Sequence, residues 1–246
     1  MTTTVYDKAL GIVACDSRWS IPGGFGVLYV DEAPFQKIEV HRNNVFVFAG
    51  RAVVIDQWKK FLRAAEKGLQ IPVPTLDGIA MLIAESGTGN LVDSHEQDIF
   101  LPDQVSPHTV FAGTGSTHAA RCWTANKCAK RAVESAMSYD INSGGIVRFK
   151  ELLTGNDNLI DCQGIESLDQ AFLEKGMVMF TRNDQEKSPI PFKQAAMQDP
   201  QVAELYGRAA NGSLRQDVQA PCDAVFNKAL PEDEKRIGET LRKIFG

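Results

Sequence analysis

The chain has 246 residues and a mass of 27.0 kDa, long for one average domain and short for two. Hydrophobic residues make up 43% and charged residues 23%, a globular balance that excludes a disordered chain. With 26 basic against 31 acidic residues the net charge is −5, which leaves no broad basic face for nucleic acid. No apolar run reaches the ~20 residues that a bilayer span needs, and no basic-then-apolar leader opens the sequence. Neither nucleic acid nor membrane is expected as a partner. The cysteines at 15, 122, 128, 162 and 222 are odd in number and form no CxxC pair, which fits reduced thiols in the cytoplasm. His41, His95, His108 and His118 show no ligand spacing with them. No metal and no cofactor is expected.

In chain order, the β-branched and aromatic run Thr2 to Asp7 predicts a strand, and Ile12 to Cys15 a second one joined to it as a hairpin. The glycines from Ile21 to Gly26 predict a loop. Phe35 to Val40 and Val45 to Phe48 are two more strands; the latter is apolar throughout and so buried on both faces. A helix follows to Lys67, with Val54, Ile55, Trp58, Phe61, Leu62 and Ala65 on one stripe. Ile79 to Glu85, Leu91 to His95 and Ile99 to Leu101 predict a meander, followed by the strand Val110 to Ala112. Thr117 to Ser138 is helical; Gly145 to Leu153 and Met177 to Phe180 are further strands. Beyond Thr181 prolines alternate with short amphipathic segments, and Glu232 to Phe245 has the pattern of a docking helix. Tight hairpins favour antiparallel pairing, and a layered α/β protein with helices outside the sheets is expected.

The chemistry-bearing residues begin at the N-terminus. Removal of Met1 exposes Thr2, and an N-terminal threonine combines a hydroxyl nucleophile with an α-amine of pKa near ~7.7–8.0 that can take its proton. Asp16 ends the second strand and Lys37 lies in a later one. A lysine aimed at the hydroxyl lowers the cost of the alkoxide, and an aspartate holds the lysine in place. Asp140-Ile141-Asn142-Ser143-Gly144-Gly145 is a turn that can bring Asp140 and Ser143 to the amine.

An ordered set of motifs then resembles the proteasome β-subunits and HslV, within the N-terminal nucleophile (Ntn) hydrolases. It comprises Thr2-Thr3-Thr4-Val5, Ala14-Cys15-Asp16-Ser17-Arg18, Lys37-Ile38, Phe48-Ala49-Gly50, Gly113-Thr114-Gly115 and Asp140 through Gly145, all within residues 1 to about 153. The resemblance implies a four-layer αββα sandwich of antiparallel sheets, expected over residues 1–180; the composition shift beyond Thr181 makes 181–246 a divergent helical extension packed on it. It implies Thr2 as nucleophile, Lys37 as activating base, Asp16 as its partner and the Gly50 N–H as oxyanion donor. Asp140 and Ser143 would support the amine, with Thr114 standing where the family usually has serine. The first hairpin is shorter than the family's, so Thr2, Thr3 and an uncleaved Met1 all remain candidates for the key position. The expected function is a threonine-type hydrolase of peptides or small amides, in a homo-oligomer. The alternatives are an inactive binding protein of the same fold, retaining Met1 and holding a protein partner through its C-terminal extension, and a structural ring subunit.

Overall fold

The computed structural model describes residues 2–96, 109–181 and 188–246. Strands β1 (Thr4–Asp7) and β2 (Ile12–Cys15) form the expected hairpin, with Thr4 opposite Cys15. Strands β3 (Trp19–Gly23) and β4 (Gly26–Val30) form a second hairpin, where the glycines had predicted a loop. Pairing along β4 overrides the weak local propensity of Pro22 and Gly23. Strand β5 (Ile38–His41) starts later than expected and pairs with β6 (Asn44–Arg51), which is buried from Asn44 to Gly50. Helix α1 (Ala52–Glu66), β7 (Ile79–Glu85) and β8 (Leu91–His95) follow as the pattern indicated. The strand expected at Ile99 to Leu101 lies outside the described residues.

After β9 (Thr109–Ala112), the helical stretch is two helices, α2 (Ser116–Asn126) and α3 (Ala129–Tyr139). They break at Lys127, which takes the left-handed conformation at φ 52°. Strand β10 (Arg148–Glu151) is followed by α4 (Glu166–Lys175), which sequence reasoning did not predict, and by β11 (Met177–Phe180). The remainder contains β12 (Ile190–Pro191), α5 (Phe192–Ala195), α6 (Pro200–Ala210), β13 (Gln219–Ala220) and α7 (Pro231–Phe245). Asp199 caps α6, accepting hydrogen bonds from the Gln201 and Val202 amides. The stretch expected to be only helical thus also adds two short strands to the main sheet.

The smaller sheet has the order β10-β2-β1-β9. The larger runs β12-β11-β4-β3-β13-β6-β7-β8, with β5 also on β6. All their pairings are antiparallel. Alternation along each strand sends side chains to two faces, and three apolar clusters fill the spaces between layers. Val5, Ile12, Ala14 and Phe111 of the small sheet pack on Ala119, Trp123, Ala132 and Ala136 of α2 and α3. Tyr6, Val13 and Cys15 on its other face meet Ile38, Val45, Val47 and Leu82 of the large sheet. The outer face of the large sheet, with Phe46, Phe48 and Met81, packs on α1 and the C-terminal helices. The chain is therefore a four-layer αββα sandwich.

Trp58 anchors the third cluster. It is fully buried, stands edge-on to Phe61 with ring centroids 5.8 Å apart, and its indole N–H donates to the Thr75 carbonyl at 2.8 Å. Trp58→Ala is expected to lower the unfolding free energy by about 3–5 kcal/mol, read as a shift in the urea midpoint. The apolar stripe of α7 is covered by its own chain: Ile237 and Leu241 are buried, and Thr240 Oγ1 donates to Asp93 of β8 at 2.6 Å.

Candidate active site

The segment 2–3, the end of β2 and the residues just before β5 converge between the two sheets. Lys37 Nζ donates to Thr2 Oγ1 at 2.5 Å and to Asp16 Oδ1 at 3.0 Å. The Thr2 hydroxyl donates to the same Asp16 oxygen. Asp16 Oδ1 also accepts from the Thr3 amide at 2.8 Å, and Oδ2 from the amides of Arg18 at 3.1 Å and Gly144 at 3.2 Å. The side chains of Lys37 and Asp16 are 1% and 0% exposed, so the pair is shielded from water and its charges interact more strongly than on the surface.

Lys37 is aimed by its neighbours on both sides. Trp19 of β3 donates its indole N–H to the Phe35 carbonyl at 2.7 Å, and the Phe48 amide of β6 donates to the Lys37 carbonyl at 2.9 Å. Buried Lys59 of α1 donates to the Gln36 carbonyl and to Cys162 Sγ, the latter at 3.1 Å. Sequence reasoning missed Lys59. Its signal was its place on the apolar stripe, four residues after Ile55 and three before Leu62, where a charge must find a buried partner.

A second polar cluster gathers the other candidates. Ser143 Oγ donates to Asp140 Oδ2 at 2.7 Å, and Thr114 Oγ1 to the same oxygen at 3.0 Å. Their contact to the N-terminal segment is at Thr3, whose Oγ1 lies 2.8 Å from Ser143 Oγ. The Thr2 amide, where Asp140 and Ser143 were expected, instead donates to the Pro221 carbonyl at 2.7 Å. The cause is the extended backbone, which sends adjacent side chains to opposite sides. Thr2 faces Lys37 and Thr3 faces Ser143.

Two glycines are required by geometry. Gly50, the expected oxyanion donor, lies in β6 at φ +121°, and a Cβ there would stand 2.3 Å from the Gly78 carbonyl oxygen. Gly113 adopts φ +83°, and its Cβ would stand 1.8 Å from the Thr2 carbonyl oxygen. Both admit only glycine without a backbone shift. Burial of nearby Cys15 pushes its thiol up to about 12, away from the thiolate form that acts as a nucleophile.

Among the described residues there is no group of histidine, cysteine and carboxylate side chains suited to a metal, and no helix is long and apolar enough to cross a membrane. No family model matches the sequence, and no curated protein matches it. Solved structures similar to the chain include Thiobacillus denitrificans BPH in complex with Epoxomicin, at 18% identity and a TM-score of 0.39, covering 62% of this chain and 99% of that one. They also include the eukaryotic HslV from Trypanosoma brucei, at 15% identity and a TM-score of 0.36, covering 61% of this chain and 98% of that one.

Proposed function

We propose that the chain is an amide hydrolase with the Thr2 hydroxyl as nucleophile, acting on peptides or small amides once Met1 is removed. The observation that supports this reading is Lys37 Nζ at 2.5 Å from Thr2 Oγ1, with Asp16 bound to both. In this reading the freed Thr2 amine takes the hydroxyl proton as Oγ attacks the amide carbonyl. Lys37 stabilises charge on Oγ, and the Gly50 N–H stabilises the oxyanion. The C–N bond then breaks, the leaving nitrogen receives the proton, and an ester to Thr2 remains. Water attacks that ester, releases the acid and restores the hydroxyl. Asp16 orients Lys37, while Thr114, Asp140 and Ser143 hold the start of the strand through Thr3.

A binding protein that retains Met1 is the second reading. The observation favouring it is that Thr2 is fully buried, which leaves a substrate no direct approach.

The test is a panel of peptide amides offered to protein whose intact mass shows that Met1 is gone. Thr2→Ala should lower turnover by roughly 10³-fold or more and cost only about 1–2 kcal/mol of stability from lost hydrogen bonds. Hydrolysis that survives Thr2→Ala unchanged would overturn the reading.

A further inference from the structure

We propose that residues 218–222 are a self-supplied strand occupying a slot built for an extended peptide, and that this segment holds the Thr2 site closed. This deepens the hydrolase reading by naming its substrate as an extended peptide, but the binding it describes does not require turnover.

The slot follows from the strand order. On one edge of β6, β5 covers residues 44–47, and beyond it Gly50 and Arg51 pair with Ala220 and Gln219 of β13. On its other side Gln219 pairs with Ser20 of β3. A two-residue strand thus lies between two longer ones that are not paired with each other, in a gap one strand wide. The segment is tied at both ends: the Ala52 amide donates to the Val218 carbonyl at 2.9 Å, and the Thr2 amide to the Pro221 carbonyl at 2.7 Å. Cys222, Ala224 and Val225 then pack on Ala49 and Ala80. Residues from the far end of the chain therefore lie against Thr2, which is fully buried.

The slot is longer than its occupant. Strand β3 runs on to Gly23 after Ser20, its last pairing with β13. The unpaired stretch borders a cavity of about 740 Å³ lined by Ile21, Phe25, Arg51, Glu204 and Gln219. A peptide adding to the β3 and β6 edges would fill both, gaining main-chain hydrogen bonds by strand addition. Among the described residues the buried Ser20 Oγ has no hydrogen-bond partner. Val218 and Ala220 of the segment are buried in the same core as residues of α4, α6 and α7, so opening the slot means withdrawing those two side chains while the flanking helices stay docked.

The experiment uses the full chain and its Ala220→Asp variant, which places a carboxylate at a fully buried position and drives the segment out. Two readouts follow. The first is the rate of Cys222 alkylation at pH 8, since burial holds that thiol up at about 11 and the thiolate is the reacting form. The second is fluorescence anisotropy of a labelled peptide Val-Gln-Ala-Pro-Cys-Asp, copying residues 218–223. Alkylation should accelerate at least about tenfold, and the peptide should bind the variant at least about tenfold more tightly than wild type, a difference near 1.4 kcal/mol. Gln219→Pro, which removes a ladder donor, should act in the same direction. Unchanged alkylation and peptide binding in both variants would overturn the proposal. So would loss of hydrogen-exchange protection throughout α2 and α3 in both, because the segment would then be part of the folding core. A Thr2 that proves inert would leave a positive binding result standing.

Discussion

Lys37→Ala is expected to abolish turnover and to lower the unfolding free energy by about 3–5 kcal/mol, the range for breaking a buried ion pair from one side. Asp16 would remain fully buried without its cationic partner, although it keeps the Thr2 hydroxyl and the Thr3, Arg18 and Gly144 amides as donors. Those donors place the expected loss toward the lower end of the range. The double variant Lys37→Met with Asp16→Asn should recover part of the stability, because no buried charge is left over, and should recover no activity. Equilibrium urea unfolding at constant m separates the two. A Lys37→Ala protein as stable as wild type would show that the pair is not buried together.

The second large effect is expected from Gly50→Ala. At φ +121° an alanine is strained, and its Cβ would press to 2.3 Å on the Gly78 carbonyl oxygen, which is backbone and cannot rotate away. Strain and overpacking of this kind cost ~1–3 kcal/mol each, so a loss of about 3 kcal/mol is expected. Activity should fall further than stability explains, by roughly 10²–10³-fold, the scale for a displaced oxyanion donor. Steady-state kinetics at a temperature where the variant is fully folded gives that number. Gly87→Ala is the control, since φ is also positive there but no atom lies within 4 Å of the added Cβ.

What could be read from the sequence divides by the range of the forces involved. The apolar run Val45 to Phe48 within β6 and the stripe on α1 announced themselves because burial imposes a local pattern. The β3–β4 hairpin did not, because Pro22 and Gly23 carry turn propensities that their pairing with Val27 and Gly26 of β4 overrides. Thr2, Asp16 and Lys37 are named by the chemistry of their residue types and given their roles together by the family resemblance. Nothing local could show that residues 21 apart, Asp16 and Lys37, share a hydrogen bond. The same motifs put Ser143 and Asp140 at the Thr2 nitrogen, and the alternation of an extended chain moved that contact to Thr3. Strand β13 was illegible for a stronger reason. Two residues have no period, and Gln219 and Ala220 are a strand only because Ser20 and Gly50 present edges to them.

The central claim is that the Thr2 hydroxyl is a nucleophile once its amine is free. The most direct measurement is intact-mass spectrometry after incubation with a peptide epoxyketone, a covalent probe that reacts with an N-terminal threonine through hydroxyl and amine. It is run on Met1-free protein carrying Ala220→Asp, with Thr2→Ala added in a parallel sample. One probe adduct, mapped to Thr2 and absent from the Thr2→Ala sample, is the expected result. Free Thr2 in a folded, opened protein that never takes up the probe would contradict the claim.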